Sequence, residues 1–268
     1  MLRRPSVSIS AFVILVLVFG AVAAPLVAPY SPNQFDYTNL FGAPSWAHLF
    51  GTDELGRDMV TRLMYAGRTT LLIALLATVI SMTLGGAWGF LAAFRGGWID
   101  EILMRTADLT LAMPVLLLGL VFVAAFGTST TSLILILGVL FAPATARLMR
   151  SATLSELESD YYIAAISVGA PTWRVMVEEV LPNTAPILLA RGSIVAADAI
   201  FVEASLSFVG LGVQPPAATW GTLLQTGYQN LYRSNTYPLF PGIIIIVAVL
   251  ALNTLGDAMQ EALDPARR

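Results

Sequence analysis

Four polar side chains stand in or at the edges of long apolar runs: Asp198, Glu203, Asn253 and Asp257. Asp108 is placed similarly further upstream. Carboxylates in such surroundings are costly and mark solute or proton paths by default. Asp198 and Glu203 lie about 140° apart around a helix of 3.6 residues per turn, so they do not share the face that a proton relay needs. Asp108 and Asp257 fit interfacial depth, and Glu203 fits a bond to a neighbouring helix. A pathway role and an interhelix role therefore both stay open for this group.

Other chemistry is narrowed by what the sequence lacks. The 268 residues contain no cysteine, which removes disulfides and thiolate metal sites. All 14 basic residues are arginine, and a phosphate-cradling P-loop needs a lysine. His48 is the only histidine, so a two-histidine metal motif cannot form within the chain, and no serine stands in a nucleophile-elbow pattern. An enzyme, a bound cofactor and a nucleic-acid partner are not expected. The net charge of −3 selects no partner.

The elements that carry these residues are membrane helices. Hydrophobic residues make up 57% of the chain and charged residues 12%, against roughly 25% charged in soluble domains. Crossing a hydrocarbon core of about 30 Å takes about 20 apolar helical residues. Six spans meet that need, at about 7–28, 70–94, 107–127, 131–150, 185–207 and 239–257. The expected fold is all-α and polytopic, a single permease-sized domain over 1–268. Its outer loops are 29–69 and 208–238, and a cytoplasmic loop runs over 151–184. Arginine bias sets the orientation: Arg3, Arg4, Arg95, Arg105, Arg147, Arg150, Arg174, Arg191, Arg267 and Arg268 fall inside, and Arg57, Arg62, Arg68 and Arg233 outside. Both termini are expected in the cytoplasm. Arg3-Arg4 and Ala21-Val22-Ala23 resemble a cleavable signal, but the apolar run continues to Val27, which favours an uncleaved span. Gly85, Gly86 and Gly89 offer a small-xxx-small packing face, and Pro114 is expected to kink the third span.

Between the fourth and fifth spans the chain reads DYYIAAISVGAPTWRVMVEEVLPNTAP. Thr153-x-x-Glu156 and Ser155-x-x-Glu158 offer capping boxes for a helix start. Leu154, Leu157, Tyr161, Ala164 or Ala165, and Val168 then recur at helical spacing. Gly169 suits a helix stop and Pro171 a second start, with Pro182 expected to halt that helix before span five. Glu178 and Glu179 fall in its last turn, where the helix dipole disfavours anions. The pattern is a helical hairpin at the membrane surface, and a plain interfacial connector is the alternative.

This stretch resembles the EAA loop of ATP-binding cassette importer permeases. Ala164, Ala165, Gly169, Leu181 and Pro182 match in type and spacing, while Ile163 stands where a glutamate is usual and Glu179 where isoleucine or histidine is usual. The resemblance implies that Asp160, Ile163, Ala164, Ala165, Gly169, Ala170, Pro171, Leu181 and Pro182 dock a separate ATPase. It extends along the chain to GTDELGRDMVTRLMYAGRTTL (51–71), FRGGWIDEILMRTADLTLAMP (94–114), EASLSFVGLGVQPPAATWG (203–221) and LNTLGDAMQEALDPARR (252–268). These look like the dipeptide, oligopeptide and nickel permeases of the second, "C" type. By that resemblance the chain is expected in a bacterial inner membrane as the translocation subunit of a peptide importer. Its implied partners are a second, non-identical permease subunit, cytoplasmic ATP-binding cassette ATPases, an extracytoplasmic solute-binding protein and membrane lipid. A nickel or other small-solute importer of the same family is one alternative; a proton-coupled carrier using Asp198 or Glu203 is another.

Overall fold

The computed structural model describes residues 5–263, and these form helices joined by loops. Helix α1 covers Pro5–Val22 and α2 is the single turn Ala24–Val27; α3 spans Met59–Arg95. Helices α4 (Gly97–Leu111) and α5 (Val115–Phe126) follow, then α6 (Thr130–Leu157) and α7 (Asp160–Ser167). The last four are α8 (Thr172–Val175), α9 (Leu181–Leu206), α10 (Trp220–Gln229) and α11 (Thr236–Leu263). Among the described residues, five helical runs are long and apolar enough to cross a membrane, or six where the bent pair α4–α5 counts as one span. Arg3, Arg4, Arg267, Arg268 and the last residues of the C-terminal signature lie outside the described residues.

Helices α3 and α6 form the centre of the bundle, and glycine allows their close approach. A Cβ at Gly85 would lie 2.4 Å from the carbonyl oxygen of Ala142, and one at Gly89 only 2.1 Å from that of Ala146. Gly86 looks elsewhere, onto Leu188 of α9. Ser81 and Thr145, both buried, are joined by a 3.0 Å hydrogen bond across the same seam, which satisfies two polar groups where no water can. Gly85 and Gly89 thus face this seam, four residues apart on one face, and Gly138 faces it from α6, where an added Cβ would lie 2.6 Å from Ile80.

Several elements differ from expectation, each for a local reason. The third span does not merely kink at Pro114: α4 and α5 meet at 91°. Pro114 takes an extended ψ of 124° as the residue before α5, so the chain leaves the helix altogether between Leu111 and Val115. Alone, the 12 residues of α5 reach about 18 Å, too short to cross. Helix α6 continues to Leu157, so Thr153 is buried inside it and starts no new helix. Helix α7 begins after Ser159 instead, without a side-chain cap.

Pro182 does not stop the second hairpin helix. A continuous run extends from Thr172 to Leu211 through a π-helical turn at Met176–Val180. There the Leu181 N–H donates five residues back, to the Met176 carbonyl. The wide turn accommodates a ring that would clash in a regular helix. Glu178 and Glu179 consequently sit inside a helical run and meet no C-terminal dipole. Glu178 accepts from Arg174 Nε at 2.8 Å, an exposed pair that solvent screens.

The N-terminus of α3 is closed by a side chain of the loop before it. Asp58 caps α3 itself, accepting from the Thr61 N–H at 2.8 Å and the Thr61 hydroxyl at 2.9 Å. Its second oxygen lies 3.0 Å from His48 Nδ1, which gives the only histidine a structural partner.

Candidate functional site

The segment 158–175 protrudes from the bundle. No residue of α7 is buried. Its end is a complete glycine stop: Gly169 has φ +86°, its N–H donates to Ile166 O at 3.0 Å, and the Ala170 N–H donates to Ala165 O at 3.1 Å. These are the paired bonds of a Schellman turn, which selects glycine for the left-handed position. Pro171 then precedes α8, and the chain returns through buried Val175, Met176 and Val180. At the base, the Tyr161 hydroxyl donates to Glu156 Oε2 at 2.7 Å. Partial burial, with the Glu156 carboxylate beside it, pushes the Tyr161 phenol above its usual range.

What the hairpin presents is apolar. Val168 is 85% exposed, Trp173 61% and Ile163 54%. Ala164, Gly169 and Pro171 are also exposed, with Ala165 and Ala170 half-buried between them. Asp160 lies at the start of α7, and Leu181 and Pro182 remain exposed on the continuous helix. Large apolar side chains on a protruding loop mark a contact surface for another protein or a membrane. Ile163, at the position of the family's carboxylate, is part of that apolar surface.

The opposite end carries a buried charge network. Asp53 is fully buried; its Oδ1 accepts the N–H groups of Leu55 and Arg57, both at 2.9 Å. Its Oδ2 accepts Arg57 Nε at 2.6 Å. Arg57 also donates to Glu54 at 2.8 Å, and Glu54 accepts the Tyr237 hydroxyl at 2.6 Å. The loop before α3 is thereby tied to α11. Trp220 ties in the loop after α9: its backbone N–H donates to Thr70 Oγ1 and its indole N–H to the Leu63 carbonyl, each at 3.0 Å. Between these loops lies a cavity of about 680 Å³ with Glu54, Arg57, Arg62, Gly210, Pro215 and Gln225 among its lining. The stretches 51–71 and 203–221, quoted separately in the sequence, both contribute to this one site, through residues 54–62 and 210–218. Removing one partner of a buried ion pair costs about 3–5 kcal/mol, so Asp53→Ala should destabilise the purified protein by that order. Thermal unfolding in detergent checks it.

The polar residues of the spans are not gathered into one site. Glu203 is fully buried and accepts from Ser207 Oγ at 2.6 Å, one turn along its own chain, and its carboxylate also meets the side chain of Thr219, the cap of α10. Asp198 faces away from it, with a side chain 43% exposed and Arg191 Nη2 at 3.9 Å. Asn253 is half-buried and Asp257 exposed on α11. Among the described residues no hydrogen bond or ion pair joins either of them to Asp198 or Glu203. A proton relay through these four has no support in this geometry.

Sequence reasoning missed two ion pairs. Arg150 donates two hydrogen bonds to Asp100, each of 2.5 Å, and Arg147 Nε donates to Asp108 at 3.0 Å. Both link α4 to α6, close to where α6 runs into the hairpin. Their signal was Asp100 and Asp108 set opposite Arg150 and Arg147 in antiparallel order, which only the pairing of the helices reveals.

Comparison with known proteins places the whole chain in context. The profile of the binding-protein-dependent transport system inner membrane component matches residues 85–268. The N-terminal transmembrane domain of oligopeptide transport permease C matches residues 1–44. The chain is 40% identical over 257 residues to the di/tripeptide transport system permease protein DppC of Pseudomonas aeruginosa, covering 94% of this chain and 85% of that protein. It is 37% identical over 252 residues to a candidate peptide permease protein of Brucella suis biovar 1, covering 93% and 83%. Among solved structures, a chain of the inward-facing MetNI methionine ABC transporter superposes with a TM-score of 0.61 at 21% identity, covering 75% of this chain and 96% of that one. That likeness establishes the fold.

Proposed function

The chain belongs to the family of binding-protein-dependent transport system inner membrane components, and from that premise we propose that it is a permease subunit of an ATP-driven peptide importer. The named relatives in Pseudomonas and Brucella are the support for peptide as the solute class. The chain would form half of a translocation pathway in the inner membrane, with a second, non-identical permease forming the other half. ATP is hydrolysed on cytoplasmic partner subunits, and an extracytoplasmic binding protein delivers the solute to the face that carries the cavity between residues 51–62 and 210–220.

The observation that carries the mechanism is the protruding α7–α8 hairpin with its uncovered Ile163, Val168 and Trp173. Its residues 160–171, with Leu181 and Pro182, supply the surface that an ATPase groove would cover. Because α8 continues without a stop into α9 through the π-helical turn, a displacement of the docked hairpin would be passed on as a movement of the span. The Arg150–Asp100 and Arg147–Asp108 pairs would carry it to α4 as well. Alternating access then follows from the packing of rigid helices, with no covalent chemistry on this chain.

Uptake into proteoliposomes containing the complete transporter tests this reading. Accumulation of a labelled di- or tripeptide is expected only with both ATP and the binding protein present. Uptake driven by a proton gradient without ATP would oppose it.

A further inference from the structure

Arg191, Asp198 and Ser205 recur at seven-residue spacing along α9. Two helical turns bring residues seven apart back to within about 20°, so the three lie on one face. Phe201, 54% exposed, lies beside that line. Glu203 and the buried Ala197, Ala199, Ile200 and Val202 point into the bundle, which leaves this face as the uncovered side of the helix.

Asp198 is also deep. Within the fifth span, 185–207, about 14 Å of helix separates it from residue 207 and about 20 Å from residue 185, too far for a short side chain to reach either membrane surface. A half-exposed carboxylate at such depth turns to protein or to a water-filled path and not to lipid. Its partner Arg191 stands at 3.9 Å, beyond hydrogen-bonding distance. The two charges compensate each other without being locked together.

We propose that Arg191 and Asp198 line the translocation pathway and form an exchangeable site for a zwitterionic solute. Asp198 takes the protonated α-amino group and Arg191 the carboxylate. Their Cα atoms are about 10.5 Å apart along the helix, the reach of an extended tripeptide at about 3.3–3.6 Å per residue. Charge is balanced in both states: the side chains pair with each other when the path is empty and with the solute's two ends when it is filled. The exposed Phe201 ring offers a face beside the ammonium. This site rests on the peptide-importer reading above and adds the part of the peptide that the membrane path recognises.

The test uses the complete transporter in proteoliposomes, with its binding protein and labelled trialanine. Asp198→Asn is expected to lower uptake at least tenfold, and Asp198→Glu, which keeps the charge, to recover at least a third of it. Co-purification of the second permease and the ATPases with Asp198→Asn should match the wild type. Unchanged uptake by Asp198→Asn would overturn the proposal. Loss of co-purification would overturn it too, because Asp198 would then hold subunits together instead of meeting solute. Failure of the wild type itself to take up trialanine with ATP and binding protein is a different result and would count against the importer reading.

Discussion

Replacing Ala165 and Gly169 together by aspartate is expected to abolish ATP-driven uptake while leaving the membrane bundle assembled. Both positions lie on the hairpin proposed to enter an ATPase groove, and an unpaired charge carried into an interface costs several kcal/mol. Two such charges at about 3 kcal/mol each exceed a ten-thousandfold loss of affinity, since every 1.4 kcal/mol is tenfold. At Gly169 the left-handed backbone, φ +86°, adds a smaller cost, below the roughly 1–2 kcal/mol of most residues because aspartate tolerates this region better. No residue of α7 contributes to the core, so the second permease should still co-purify with the double variant. Co-purification of the ATPases and uptake read the two effects separately. Retention of both would remove the docking role.

Gly89→Leu carries the other large effect, and it acts on the fold. The new Cβ would sit 2.1 Å from the Ala146 carbonyl oxygen and 2.9 Å from the Arg150 nitrogen. Both are backbone atoms of α6 and cannot swing aside, so α3 and α6 must separate. Overpacking costs about 1–3 kcal/mol where side chains can adjust, and more is expected here. The separation would also pull Ser81 from Thr145 and leave two buried hydroxyls unpaired. The variant is expected to disappear from the membrane fraction or to unfold well below the wild type. Gly20→Leu is the control: nothing lies within 4 Å of its added Cβ, and its expression and melting should match the wild type.

How far the sequence was legible differs from element to element. Long apolar runs mark spans because hydrocarbon enforces a helix on every crossing segment, and the hairpin's stop was legible because glycine is the residue that most readily takes Gly169's left-handed conformation. The weak Gly85–Gly89 signal became meaningful only when α6 was found against it; glycine spacing names a packing face but not a partner. The helix boundaries around 150–182 were misjudged because capping and stop residues are conditional. Thr153 caps nothing when α6 runs on through it, and Pro182 stops nothing once a π-helical turn makes room for its ring. The charge network of Asp53, Arg57, Glu54 and Tyr237 joins residues up to 183 apart in the chain, beyond the reach of any local pattern. Asp198 and Glu203 looked alike in the sequence. Burial separates them: one closes a bond inside the bundle, the other faces outward.

The central claim, that the α7–α8 hairpin is the contact with the ATPase, can be measured by crosslinking. The chain has no cysteine, so Val168→Cys and Tyr232→Cys each create a single reactive site in it. Both positions are highly exposed, at 85% and 104%, and they lie at opposite ends of the bundle. With a thiol-directed photo-crosslinker in the assembled transporter, Val168→Cys is expected to give an adduct with the ATPase subunit and Tyr232→Cys none. Adducts with the ATPase from position 232, or none from position 168, would contradict the account.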